Sequence, residues 1–146
     1  MATGAARLIE ENYIESGQVR YEYYYVTFNQ PAGKLAAEAA ECANSQGSFW
    51  PYHDILYANQ TRSSDQYSEP RLLAFADTLN LDSNEFRSCL RGGQSRGVVQ
   101  EDVDLASQMG VKATPTLFIN GEKVEGAQLF EVYREVIERE LAQAQS

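Results

Sequence analysis

Apolar positions recur along this chain at helical spacing in seven places and in strand-like runs in three. Ala5 to Ile14 sets Ala5, Leu8, Ile9 and Tyr13 near one face, and Ser16-Gly17 supplies the glycine that ends a helix in the left-handed conformation. Val19 to Phe28, Val-Arg-Tyr-Glu-Tyr-Tyr-Tyr-Val-Thr-Phe, is dense in β-branched and aromatic residues and stops at Asn29-Gln30-Pro31, which predicts a strand. From Pro31 to about Gly110 the pattern is helical. Ala32 to Gln46 carries Leu35, Ala36, Ala39, Ala40 and Ala43 on one side and stops at Gly47. Ser48 is placed to cap a second helix whose buried face is Phe49, Trp50, Leu56 and Tyr57. After a polar loop from Asn59 to Ser68, Pro70 to Leu79 forms a third, with Leu72, Phe75, Ala76 and Leu79 inward. Asp82-Ser-Asn-Glu85 reads as a capping box opening the helix of Phe86, Cys89 and Leu90, which Gly92-Gly93 ends. Val98 to Met109, closed by Gly110, is the last of the block.

The C-terminal third changes period. Thr116 to Ile119 is a short β-branched and aromatic run, Asn120-Gly121 suits a type I′ turn, and Glu122 to Glu125 returns as the partner strand. Beyond Gly126, Leu129, Val132, Tyr133, Val136 and Ile137 recur at helical spacing among charged residues, giving an amphipathic helix to cover the hairpin.

Composition narrows the function. A length of 146 residues fits one domain, here 1–146, with a core that needs no metal or disulfide. No apolar run approaches the roughly 20 residues of a membrane span, and the start, Met1-Ala-Thr-Gly-Ala-Ala-Arg, carries no secretory signal, so the expected compartment is cytoplasmic. The net charge of −9 would repel phosphate backbones and anionic lipid, which disfavours nucleic-acid and membrane partners. Two cysteines, Cys42 and Cys89, form no C-x-x-C, and the single histidine, His53, has no cysteine at metal-ligand spacing, so neither a cofactor nor a metal is expected.

Ala-Thr-Pro-Thr-Leu-Phe-Ile-Asn-Gly followed by Val-Glu-Gly-Ala resembles the cis-proline strand and closing hairpin of thioredoxin-fold proteins of the DsbA-like group. Val-Arg-Tyr-Glu-Tyr resembles the strand entering that group's helical insertion, and Ala36 to Leu56, with its Phe-Trp-Pro-Tyr-His-Asp, resembles the insertion's first two helices. The resemblance covers nearly the whole chain. It implies an α/β, thioredoxin-like core with a helical insertion at about 31–110, about three strands and six to seven helices. It also implies a cis peptide before Pro115, with the backbone of Thr114 holding an extended substrate peptide, and an extracytoplasmic site of action.

The group's chemistry needs a C-x-x-C at the start of the first core helix, where the helix N-terminus stabilises a thiolate. This sequence has none, and Ala5-Ala-Arg-Leu-Ile-Glu-Glu-Asn-Tyr-Ile resembles the C-terminal half of that helix, as if the chain were truncated ahead of it. In the group a further strand lies between those matching Val19–Phe28 and Thr116–Ile119. Its loss predicts either a three-stranded sheet closed within the chain or a homodimer joined across strand edges.

Cys42 and Cys89 read first as small buried thiols. Their main rival reading is a structural disulfide, open to helices that approach within about 4.4–6.8 Å between Cα atoms. Neither sits at a helix start or beside a base, so a catalytic pair is the least favoured. His53 has an acidic neighbour, Asp54, but adjacent helix residues do not face each other, so it reads as structural. The tyrosines at 21, 23, 24 and 25 read as sheet packing, and Glu10-Glu11, Glu101-Asp102 and Glu138 to Glu140 as solvated faces. Three functions stay open. One is a non-catalytic, degenerate oxidoreductase-like domain that binds a peptide or protein partner at Thr114 and Pro115. The second is an active thiol:disulfide oxidoreductase, with a C-x-x-C upstream of Met1 or an unusual Cys42/Cys89 pair. The third is a mobile-element fragment without a selected role.

Overall fold

Asn120 and Gly121 both take left-handed backbone, φ 47° and 93°, and this reverses the chain between β1 (Thr116–Ile119) and β2 (Glu122–Glu125) in a two-residue turn. In this computed structural model, which describes residues 4–28, 30–63 and 65–146, the two strands pair antiparallel with Leu117 opposite Val124. The element order is α1 (Ala5–Ile9), a π-helical turn (Glu10–Ile14), α2 (Pro31–Asn44), α3 (Phe49–Ala58), α4 (Glu69–Thr78), α5 (Ser83–Gly92), α6 (Arg96–Gln108), β1, β2 and α7 (Phe130–Ala144). The α/β architecture with a helical block between its core elements is the one expected.

The chain divides into two compact units, one made of the residues up to Tyr23 with Ser107–Ser146, the other of Tyr24–Ala106. In the first, the hairpin presents Leu117, Ile119 and Val124 on one face, and α7 presents Tyr133, Val136 and Ile137 at i, i+3, i+4 spacing. Ile9 and Tyr13 join them, and all but the two β1 residues are buried. Each fully buried aliphatic side chain there contributes about 1.5–3 kcal/mol. The predicted helix 5–14 is α-helical only to Ile9 and then widens, with Glu15 N–H donating to the Glu10 carbonyl at 3.0 Å.

The second unit is all helical. Ala36, Ala37, Ala39, Ala40 and Ala43 bury one face of α2, and side chains this small let neighbouring helices approach closely. Tyr52 and Phe86, both fully buried, place their ring centroids 5.4 Å apart, and the Tyr52 hydroxyl donates to the Leu72 carbonyl at 2.9 Å. Asp82 caps α5 as expected, accepting from Asn84 N–H at 3.0 Å and Glu85 N–H at 2.9 Å. Gln46 ties the end of α2 to that cap by bonding both the N–H and the carbonyl of Asp82.

Two local expectations are corrected. Ser48 precedes α3 but makes no side-chain cap bond, because its backbone, at φ −122° and ψ 32°, lies outside the extended region from which a cap reaches back. Val19–Phe28 is in neither helix nor strand, so the sheet has two strands among the described residues rather than three. A strand is defined by a ladder, and β-branched or aromatic side chains favour extended backbone without supplying the neighbour. The segment keeps the alternation of a strand all the same: Val19, Tyr21 and Tyr23 are half-buried while Arg20, Glu22 and Tyr24 are exposed. Its expected end at Asn29, together with Met1-Ala-Thr and Ser64, lies outside the described residues.

Candidate functional site: the proline loop and the joined cysteines

The Thr114–Pro115 peptide is cis. The loop around it is held from three sides: Thr116 Oγ1 donates to the Ala113 carbonyl at 2.7 Å, Gly126 N–H donates to the Pro115 carbonyl at 2.8 Å, and Lys123 Nζ donates to the Gly110 carbonyl at 2.7 Å. Behind it, Tyr133 donates its hydroxyl hydrogen to the Gly126 carbonyl at 3.1 Å and accepts from Gln128 N–H at 3.1 Å. Thr114 itself is exposed and Pro115 half-buried. The loop therefore presents fixed backbone to solvent.

Register decides which backbone groups are on offer. The Pro115 carbonyl already faces Gly126, so by the alternation of an antiparallel ladder Leu117 and Ile119 also face β2. The N–H and C=O groups of Thr116 and Phe118 then point to the outer edge of β1, which has no second strand beside it among the described residues. The residues of this edge are uncharged, whereas β2 carries exposed Glu122, Lys123 and Glu125, the kind of edge that resists pairing.

In the helical unit Cys42 of α2 and Cys89 of α5 are joined by a disulfide, with Cα atoms 5.9 Å apart and 47 residues between them in sequence. Cys42 is fully buried and Cys89 is 6% exposed. Ser95 Oγ lies 3.6 Å from Cys42 Sγ but gives its hydrogen to the Glu38 carbonyl oxygen at 2.9 Å, since the oxidised sulfur has none to share. Glu38 is buried, and its carboxylate meets Arg96 Nε at 3.5 Å. The sequence favoured free buried thiols; the structure pairs them, because the small face of α2 brings α5 close enough. Among the described residues no cysteine is free.

His53 places Nδ1 2.9 Å from Asp54 Oδ1, so the argument that neighbouring helix residues cannot meet fails here: a short carboxylate can bend back to the adjacent ring. The imidazole is surrounded by Phe49, Trp50 and Tyr57 at ring-centroid distances of 4.6–5.8 Å and is packed into an aromatic group. No group of three or more His, Cys, Asp or Glu among the described residues could hold a metal ion.

Two acidic positions read as solvated faces do more. Asp102 accepts the Tyr25 N–H at 3.0 Å, while the Tyr25 hydroxyl donates to Glu41 Oε2 at 2.9 Å. Burial pushes the Asp102 carboxyl above the usual range against the pull of that N–H, and nearby Glu41 and Glu101 push it the same way. Glu138 accepts the Tyr13 hydroxyl. Charge-run reading cannot find such pairs, since their partners lie on distant segments.

Residues 2–139 match the family model described as thioredoxin. The chain is 37% identical over 120 residues to the Na(+)/H(+) antiporter NhaA 3 of Salinispora tropica, covering 81% of this chain and 18% of that protein. It is 27% identical over 137 residues to disulfide bond formation protein D of Bacillus subtilis, covering 91% of this chain and 62% of that protein. The chain thus spans less than a fifth of the antiporter and less than two thirds of the disulfide protein. Among solved structures, oxidised BdbD from Bacillus subtilis superposes with a TM-score of 0.87 at 25% identity, over 97% of this chain and 78% of that one. No helix among the described residues is long and apolar enough to cross a membrane.

Proposed function

This chain belongs to the thioredoxin family, in its DsbA-like, thiol:disulfide oxidoreductase-like branch, and on that premise we propose that it binds an extended peptide along Thr114–Pro115 without thiol exchange of its own. The observation that carries the reading is the fate of the two cysteines. They are joined to each other inside the helical unit, and the 146 residues contain no C-x-x-C. A thiolate activated at a helix start is what exchange requires.

Binding needs less. The cis-proline loop exposes Thr114 and is held by hydrogen bonds, and the outward N–H and C=O groups of Thr116 and Phe118 continue its edge. An extended segment laid there would gain main-chain hydrogen bonds against backbone that has already paid its ordering cost. That a match of this kind occupies 18% of a protein named as an antiporter supports a domain that also occurs within longer chains. The same edge of β1 would also accept a second copy of this chain. Light scattering at twice the chain mass of 16.3 kDa is the expected sign of that dimer, and the chain mass alone rejects it.

The test combines two measurements. Titration with a cysteine-free peptide of alternating Val and Thr should shift backbone amide resonances within residues 111–119; shifts elsewhere, or none, sink the binding reading. Insulin reduction by dithiothreitol should run at the uncatalysed rate with this chain and with its Cys42→Ser, Cys89→Ser variant. Turnover that disappears in the variant would make the pair a redox centre.

Coverage favours a second reading, in which these residues form the substrate-side part of an active oxidoreductase, since the chain spans only 62% of a protein named for disulfide bond formation. A C-x-x-C encoded upstream in the same reading frame, and insulin reduction by the longer product, would establish it.

A further inference from the structure

The position of each cysteine within its helix separates this disulfide from a working redox centre. Cys42 lies in the last turn of α2, which ends at Asn44, and Cys89 lies in the last turn of α5, which ends at Gly92. Catalytic thiols of this chemistry use a helix N-terminus, where the dipole is positive and stabilises a thiolate; a helix C-terminus presents the negative end and does the reverse. Glu38 adds to the effect. It stands one turn before Cys42 on the same side of α2, is buried at 4% exposure, and meets a single guanidinium, that of Arg96. Both sulfurs also belong to residues at 6% exposure or less, so an attacking thiolate cannot reach them without local opening.

From these placements we propose that Cys42–Cys89 is a non-exchanging staple of the helical unit, supplied by an external disulfide donor, so that this oxidoreductase-like chain is itself a client of disulfide formation. Reduction of the pair would need two thiolates to leave from sites that destabilise thiolates, and poor leaving groups leave slowly. Formation runs before burial is complete. One cysteine thiolate attacks the donor's disulfide and releases one donor sulfur as a thiolate. The second cysteine thiolate then attacks the mixed disulfide and releases the other. Two thiols of the chain become one disulfide, the donor disulfide becomes two thiols, and two electrons pass to the donor. The donor class is glutathione disulfide or a dithiol oxidase in its disulfide form. A chain finished this way would mature in an oxidising compartment. The inference does not depend on peptide binding at the proline loop, and each can fail without the other.

The experiment counts thiols by maleimide labelling and mass spectrometry. The native chain should take no label, and should still take none after millimolar dithiothreitol without denaturant. The same reductant in urea should give two labels, at a rate at least about 100-fold faster. Two labels appearing rapidly on the native chain would overturn the proposal. Anaerobic refolding of the reduced chain should restore the bond when glutathione disulfide is supplied; two thiols still free in its presence would also overturn the proposal. The Cys42→Ala, Cys89→Ala variant should melt about 10 °C lower, and an unchanged Tm would remove the staple role. Should that variant not fold, the labelling rates on the unaltered chain decide alone.

Discussion

The Tyr13 hydroxyl donates to Glu138 Oε1 at 2.9 Å, joining side chains 125 positions apart and fastening the N-terminal helix to α7 within one unit. Tyr13 is buried, and burial together with the Glu138 carboxylate holds its phenol above the usual range. A raised folded-state value means that the unfolded chain ionises first. The stability from this group is then fully present below the ordinary tyrosine range and is lost as pH rises through the folded value. Tyr13→Phe should cost about 1 kcal/mol at pH 7 in urea denaturation, and its deficit against the parent chain should shrink in strong alkali. A deficit that does not change with pH would show that the hydroxyl matters only for packing.

Tyr52 offers a sharper version of the same test. It is fully buried in the helical unit, its hydroxyl is committed to the Leu72 carbonyl, and burial pushes its phenol far above the usual range. In an ultraviolet pH titration of the nine tyrosines, Tyr52 should ionise only as the unit unfolds, appearing as a late cooperative step. Tyr52→Phe should remove that step and lower stability by about 1–2 kcal/mol, because a buried carbonyl loses its donor. Smooth titration of all nine tyrosines in the folded chain would contradict the geometry.

The sequence made some of this legible, and physics says which parts. Local chemistry was readable: Asn120-Gly121 for the turn, Asp82 for the α5 cap, the helical spacing of Tyr133, Val136 and Ile137 for the core face of α7. Each of those signals depends on neighbours within a few positions. What needed partners at long range was not readable. Val19–Phe28 has strand composition but its ladder depends on another segment, and Asp102 looked like part of a charged face because its donor is the backbone of Tyr25. Thr114 and Pro115 were found by resemblance, since X-Pro composition alone does not distinguish cis from trans. The cysteine pair fell between: distance criteria allowed it, and only the packing of α2 against α5 could decide it.

Gly93 ends α5 in left-handed backbone, φ 66°, and the space a Cβ would occupy there is filled by the Arg96 side chain, whose Cζ would lie 2.7 Å away. Gly93→Ala therefore has two costs. Left-handed backbone with a Cβ costs about 1–2 kcal/mol, and Arg96 must move from the buried Glu38 carboxylate it meets at 3.5 Å. The expected loss is about 2 kcal/mol in urea denaturation, and in an Arg96→Ala background, where the ion pair is already gone, Gly93→Ala should cost only the backbone part. A loss of 0.5 kcal/mol or less would mean that Arg96 finds Glu38 by another route.

Asp102 is the group whose charge works against the fold. It accepts the Tyr25 N–H from α6, and the acids near it are Glu41 on α2 and Glu101 on its own helix. Burial is the largest reason its carboxyl is raised above the ordinary value of 3.8, and the N–H bond pulls only partly back. Between the ordinary and the folded value, the native chain holds a proton that the unfolded chain has released, so this group's contribution to stability falls as pH climbs through that window. Asp102→Asn keeps an oxygen acceptor for Tyr25 N–H and removes the charge. It should be more stable than the parent chain at pH 7, and the advantage should narrow as pH is lowered through the raised folded value, where the native carboxyl takes up its proton. Asp102→Ala, which loses the acceptor as well, should be less stable than the Asn variant at both pH values. Urea midpoints of the three proteins at pH 4 and pH 7 check the argument. An Asn variant weaker than the parent at pH 7 would mean that the charged hydrogen bond to Tyr25 outweighs the cost of burying Asp102.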